Sequence, residues 1–155
     1  MDELPENTVI NKVLTGCGAT TLAIEQARDT IIAVPYTALI INKQLRYEDT
    51  LLGLYGTDDF QAKIPDYLTS HAQIKIMTTY DSLPKVCNAL TNRNPYNMMH
   101  LVIDEWHLLL MSYGFRGDAI RGVLDEAKKF KSVTYLSATP IEKAYWFPEM
   151  EGLQN

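Results

Sequence analysis

Cysteine is scarce in this sequence, which holds only Cys17 and Cys87. Two thiols build no disulfide framework, and without a C-x-x-C pair they suggest no structural zinc site. Long apolar runs are missing as well. The longest, from Ile31 to Ile41, spans 11 positions and is interrupted by Pro35, whereas a membrane-spanning helix needs about 20. The start, Met1-Asp2-Glu3, has neither the basic nor the apolar region of a secretory signal, so an intracellular, cytoplasmic location is expected. A basic excess is lacking too: 14 Lys and Arg stand against 19 Asp and Glu, a formal charge of −5. That balance excludes a bulk attraction for nucleic acid, so any such contact has to be local or supplied by another domain. There is no internal repeat and no low-complexity tract.

What remains is a chain of 155 residues, 46% apolar and 21% charged, long enough for one domain with a substantial core. Short apolar, β-branched runs alternate with longer amphipathic ones, which predicts an α/β fold with a mainly parallel sheet and helices on both faces. Strands are expected at Thr8 to Leu14, Ile31 to Val34, Leu51 to Tyr55, Gln73 to Met77, His100 to Ile103 and Val133 to Leu136. Helices are expected at Thr20 to Arg28, Thr37 to Arg46, Asp58 to Leu68, Ser82 to Leu90 and Gly117 to Phe130. In the last, Ile120, Val123, Leu124, Ala127 and Phe130 recur at helical spacing. Pro65 should kink or end the third helix. Asn92 to Tyr96 reads as a turn, and the tail beyond Tyr145 carries no pattern.

The first strand runs into Thr15-Gly16-Cys17-Gly18-Ala19-Thr20-Thr21, which opens a helix. Strand, glycine-rich turn and helix start are the parts of a phosphate cradle, in which backbone N–H groups turn toward the anion. Thr20 stands where such a loop carries its Mg²⁺-binding hydroxyl. Ala19 stands where the lysine that holds the β and γ phosphates would be, and its absence should weaken nucleotide binding and hydrolysis together. Lys12, polar in an otherwise apolar strand, is a candidate replacement cation, or a side chain that snorkels from the sheet.

A second strand, His100-Leu101-Val102-Ile103, delivers Asp104-Glu105-Trp106-His107 to its carboxyl end, where ligand chemistry in open α/β sheets takes place. There Asp104 would hold Mg²⁺ through water, and Glu105 would orient or deprotonate an attacking water. The alternative is an acidic cap on the next helix, with His107 an ordinary polar residue and Trp106 packing. A third strand ends in Ser137-Ala138-Thr139-Pro140, two small hydroxyls at the same edge.

With these three segments in this order the sequence resembles the first RecA-like domain of superfamily-two helicases of the DEAD/DEAH-box kind, from Thr8 to about Ile141. Thr15 to Thr21 is similar to motif I, the Walker A loop, without its lysine. Asp104 to His107 is similar to motif II and Ser137 to Thr139 to motif III. Pro35-Tyr36-Thr37 is similar to motif Ia, and Thr78-Thr79-Tyr80-Asp81-Ser82 to the strand-end segment that grips a nucleic-acid backbone. The resemblance implies a RecA-like three-layer sandwich, and ATP with Mg²⁺ as cofactors. It implies Thr15 to Thr21, Ser137 and Thr139 at the nucleotide, and Thr20 and Asp104 at the metal. Asp104, Glu105 and His107 would be the catalytic set, and Pro35, Tyr36, Thr37, Thr78, Thr79 and Asp81 would touch a DNA or RNA strand. A second RecA-like domain with an arginine finger is expected downstream, so this domain alone should hydrolyse ATP poorly. Only about seven residues precede the first strand, and no adenine-reading glutamine segment fits there.

Two other readings stand beside this one. A degenerate, non-catalytic module serving as a scaffold or protein-binding surface would account for Ala19, although a dead site has no need of both Asp104 and Glu105. A small-molecule kinase fits Asp-Glu-x-His followed by Ser-Ala-Thr poorly.

Overall fold

The computed structural model describes residues 3–11, 18–90, 95–112, 117–139, 141–150 and 152–153. Lys12, Thr15, Gly16, Cys17, Pro140, the end of the first expected strand and most of the Asn92 to Tyr96 turn lie outside the described residues. Six strands form one sheet: β1 Thr8–Asn11, β2 Thr30–Val34, β3 Leu52–Leu54, β4 Lys75–Thr79, β5 His100–Ile103 and β6 Ser132–Ser137. Their order is β1-β6-β5-β2-β4-β3, and every neighbouring pair is parallel.

The period of two along each strand divides the core. Ile31, Ala33, Ile76, Leu101, Ile103, Val133 and Tyr135 face one side, and Ile32, Val34, Met77, Val102 and Leu136 the other. Helices α1 (Ala19–Glu25) and α2 (Thr37–Arg46) cover the second side through Ala23, Ile24 and Ile40. The first side is covered by α3 (Phe60–Ser70), α4 (Leu83–Ala89), α5 (His107–Ser112) and α6 (Gly117–Ala127). The result is three layers, compatible with a RecA-like sandwich.

Right-handed crossovers explain which helix lies where. From β1 through β2 to β3 the chain advances across the sheet with its helices on one face. From β3 through β4 and β5 to β6 it returns, so the helices change face. The turnabout leaves β1 and β5 feeding helices on opposite faces, with β6 between them. Parallel sheets bind ligands in such a crevice, at the carboxyl ends of the strands.

Gly53 shows how tightly α2 sits on the sheet: a Cβ there would lie 2.5 Å from the Ile40 side chain. Three local features add to or depart from the sequence pattern. Pro65 does not end α3, which continues to Ser70; the carbonyl deprived of a partner is that of exposed Gln61, within reach of water, while Ile64 and Tyr67 on the other face are buried. Helix α6 stops at Ala127, and a tight turn, with the Phe130 N–H on the Ala127 carbonyl at 3.3 Å, swings Phe130 into the core. In the tail, where the sequence carries no pattern, Phe147 and Met150 are buried in the larger cluster. Among the described residues no helix is long and apolar enough to cross a membrane.

Candidate functional site

Asp104 is one residue beyond β5, whose four residues are all buried. Its N–H donates to the Ala33 carbonyl at 2.9 Å, prolonging the ladder and holding the carboxylate, 5% exposed, at the sheet edge. Opposite it, the chain enters α1 through Gly18 at φ +87°, a left-handed conformation that glycine adopts without a Cβ penalty. Thr20, in the first turn of α1, donates its hydroxyl to Asp104 Oδ2 at 2.9 Å. Side chains 84 positions apart in sequence thus meet at one point. The other carboxylate oxygen, Oδ1, accepts the Glu105 N–H at 3.0 Å.

Glu105 is a non-glycine residue with φ +54°, a conformation that costs on the order of 1 kcal/mol for an L side chain. Two backbone contacts offset that cost. The Trp106 N–H reaches the Leu136 carbonyl on β6 at 3.0 Å, and the buried Tyr80 hydroxyl shares its one proton between the carbonyls of Asp104 and Glu105. Trp106 is fully buried, edge-on to Tyr135, Trp146 and Phe147 with centroids 6.3 to 6.4 Å away. It anchors the turn from below, the packing role expected of it.

His107 opens α5, a helix the sequence reading left out, and its Nδ1 lies 2.7 Å from Ser137 Oγ and 3.4 Å from Glu105 Oε2. Ser137 Oγ also donates to the Thr139 carbonyl at 2.8 Å and accepts the Thr139 N–H at 3.0 Å. Asn11 pairs in register with Ser137, so the end of β1 adjoins the same group. Gly18, Ala19, Thr20, Asp104, Glu105, His107, Ser137 and Thr139 therefore share one edge.

The remaining candidates form a neighbouring group. Val34 and Thr79 are in register, which sets Pro35-Tyr36-Thr37 beside Thr79-Tyr80-Asp81. Tyr36 is 58% exposed and Asp81 is exposed, while Thr78 is fully buried and does not reach the surface. Thr21 lies with Gly18, Ala19, Leu22, Ile10, Leu4 and Glu25 on a cavity of about 470 Å³ that runs along α1 from its first residue to its last. The sequence reading did not anticipate the Tyr80 contact, although the aromatic just past a strand end was its visible sign.

Two buried titratable groups lie at the opposite edge. Burial, reinforced by the Arg28 and Lys75 charges, pushes His100 down to about 3; its ring nitrogens lie 2.6 Å from Ser132 Oγ and 3.0 Å from Thr134 Oγ1. Burial also lowers Lys75 to about 8, its Nζ donating to the carbonyls of Gln26 and Arg28. Lys75, His100 and Ser132 begin their strands, and these groups knit the sheet's amino edge, far from the carboxylates. Among the described residues no cluster of three or more His, Cys, Asp or Glu side chains is arranged to hold a metal ion. Compared with known proteins, the sequence matches no family model and no curated protein.

Proposed function

We propose that this chain is a helicase-like, nucleic-acid-dependent ATPase domain that binds ATP with Mg²⁺ in the crevice between β1, β6 and β5. The observation that carries the reading is the Thr20 to Asp104 contact. The two side-chain oxygens lie 2.9 Å apart, close enough to serve one ion, Asp104 through water. Mg²⁺ is usually held by one or two protein oxygens, with water and phosphate completing the shell. When bound, the ion would neutralise charge on the phosphates.

The chain's own residues supply the rest. Thr20 and Asp104 would hold the ion. Glu105, beside them, orients the attacking water and takes its proton. His107 Nδ1 contacts Ser137 Oγ and lies 3.4 Å from the Glu105 carboxylate, so the imidazole stands between Glu105 and the Ser137–Thr139 turn. The cavity beside α1, mostly apolar, is of a size that suits a small ligand and offers room for the nucleoside. Pro35 to Thr37 and Thr79 to Asp81 would face a DNA or RNA strand, and a second RecA-like domain would supply the arginine finger. Ala19 makes the phosphate grip weak.

Calorimetry with ATP, with and without Mg²⁺, tests the reading alongside turnover of the wild type and of Glu105→Gln. Expected are Mg²⁺-dependent affinity in the high micromolar range, about 5 kcal/mol, and turnover that Glu105→Gln abolishes without loss of binding. A chain that binds no nucleotide would favour the non-catalytic module.

A further inference from the structure

We propose that Tyr80 is a positioning residue that ties the strand-end segment Thr79-Tyr80-Asp81 to the Asp104-Glu105 turn, so that a strand bound at the first changes the setting of the Glu105 carboxylate. The inference rests on the function proposed above. Its basis is geometric. Tyr80 follows β4 and Asp104 follows β5, and these strands are not neighbours, because β2 lies between them. Two strand spacings, roughly 10 Å, separate their ends. The buried phenol bridges that gap over the end of β2, sharing its one proton between the Asp104 carbonyl and, at 3.0 Å, the Glu105 carbonyl.

The two carbonyls flank the one described turn residue of this site that is left-handed without being glycine, Glu105 at φ +54°. A residue held in such a conformation returns to a commoner one unless its surroundings restrain it. The Trp106 N–H on the Leu136 carbonyl restrains the peptide after Glu105, and Tyr80 holds the carbonyls on both sides of it. Its neighbours in sequence, Thr79 and exposed Asp81, stand beside Pro35 to Thr37 at the surface. A ligand that shifts Thr79 or Asp81 shifts the Tyr80 backbone, and the phenol passes the shift to the peptide that aims Glu105. Phenylalanine would fill the same buried space but could not transmit it.

The test compares the wild-type chain with Tyr80→Phe. Amide hydrogen exchange of the 104–107 stretch is followed with and without a dT20 or U20 oligonucleotide, together with kcat, nucleotide Kd and melting temperature. Expected in the wild type is an oligonucleotide-dependent change in exchange at Glu105 and Trp106. Tyr80→Phe should lose that response and lower kcat about tenfold, with Kd kept within about twofold. A Tyr80→Phe chain with wild-type response and kcat overturns the proposal. So does a variant whose kcat, Kd and melting temperature fall together, which marks a merely structural hydroxyl. The wild-type exchange measurement needs no variant: an oligonucleotide that leaves residues 104–107 unchanged also overturns the link. Exchange that responds in a chain that neither binds nor hydrolyses ATP supports the link and sinks the ATPase reading, whereas turnover without the response sinks the link alone.

Discussion

Replacing Thr20 by valine exchanges a hydroxyl for a methyl of nearly the same shape and removes the donor to Asp104 Oδ2, 2.9 Å away. A hydrogen bond to a charged acceptor contributes about 1.5 to 3 kcal/mol. This one is only part-buried, and Asp104 retains the Glu105 N–H, so the loss should fall near the lower end, about 1.5 to 2 kcal/mol. For a domain of this size, a change of that order lowers the melting temperature by about 3 to 8 °C. Asp104→Ala and the double variant complete a cycle whose coupling should be about 1 kcal/mol. The same melts with Mg²⁺-ATP add the functional arm. At ten times its Kd, ligand should stabilise the wild type by about 1.4 kcal/mol, and Thr20→Val should lose most of that protection. A coupling under about 0.3 kcal/mol, within the scatter of independent sites, would show that the two side chains do not share a bond, and the metal-site argument would fall with it.

Other outcomes follow from single features. Ala19→Lys, at the first residue of α1, should tighten nucleotide binding by about tenfold through a charge-assisted contact; calorimetry showing no gain would mean that the loop cannot present a lysine to the phosphates. His100 titrates near 3 when folded and near 6.5 when unfolded. The unfolded chain therefore binds the extra proton between those values, and the stability from neutral His100 is complete above pH 6.5 and is lost as pH falls toward 3, at up to about 1.4 kcal/mol per pH unit. Urea denaturation of wild type and His100→Gln from pH 7 to 4 should give a shallower slope for the variant, and parallel slopes would contradict the assignment.

Much of this protein was legible in its residues because a parallel sheet covered on both faces has a strong local signature. Runs such as Ile31 to Val34 and His100 to Ile103 are apolar at every position, and the helices between them carry apolar side chains at turns of 3.6. The glycine turn, the Asp104-Glu105 pair and the Ser137-Ala138-Thr139 segment were visible for a related reason, since each breaks an apolar strand with residues that packing alone would not select. Local pattern also misled. Pro65 should kink or end a helix by its own chemistry, yet α3 continues past it, since burial of Ile64 and Tyr67 on the core side outweighs one missing hydrogen bond. Phe147 and Met150 have no periodic company, so nothing in their neighbourhood announced that they complete the core.

The strand order belongs to the tertiary structure alone. Nothing near Thr8 or near Ser132 says that β6 inserts between β1 and β5, because pairing is chosen by the whole set of crossovers and by which faces remain to be covered. From that order come the two contacts that give the site its shape. Thr20 reaches Asp104 because β1 and β5 feed opposite faces of one crevice, and Tyr80 reaches the Asp104-Glu105 peptide because β4 stands two strands from β5. A residue's type is a property of the chain, whereas the distance between a hydroxyl and a carboxylate far apart in sequence exists only once the sheet has closed the loops between them.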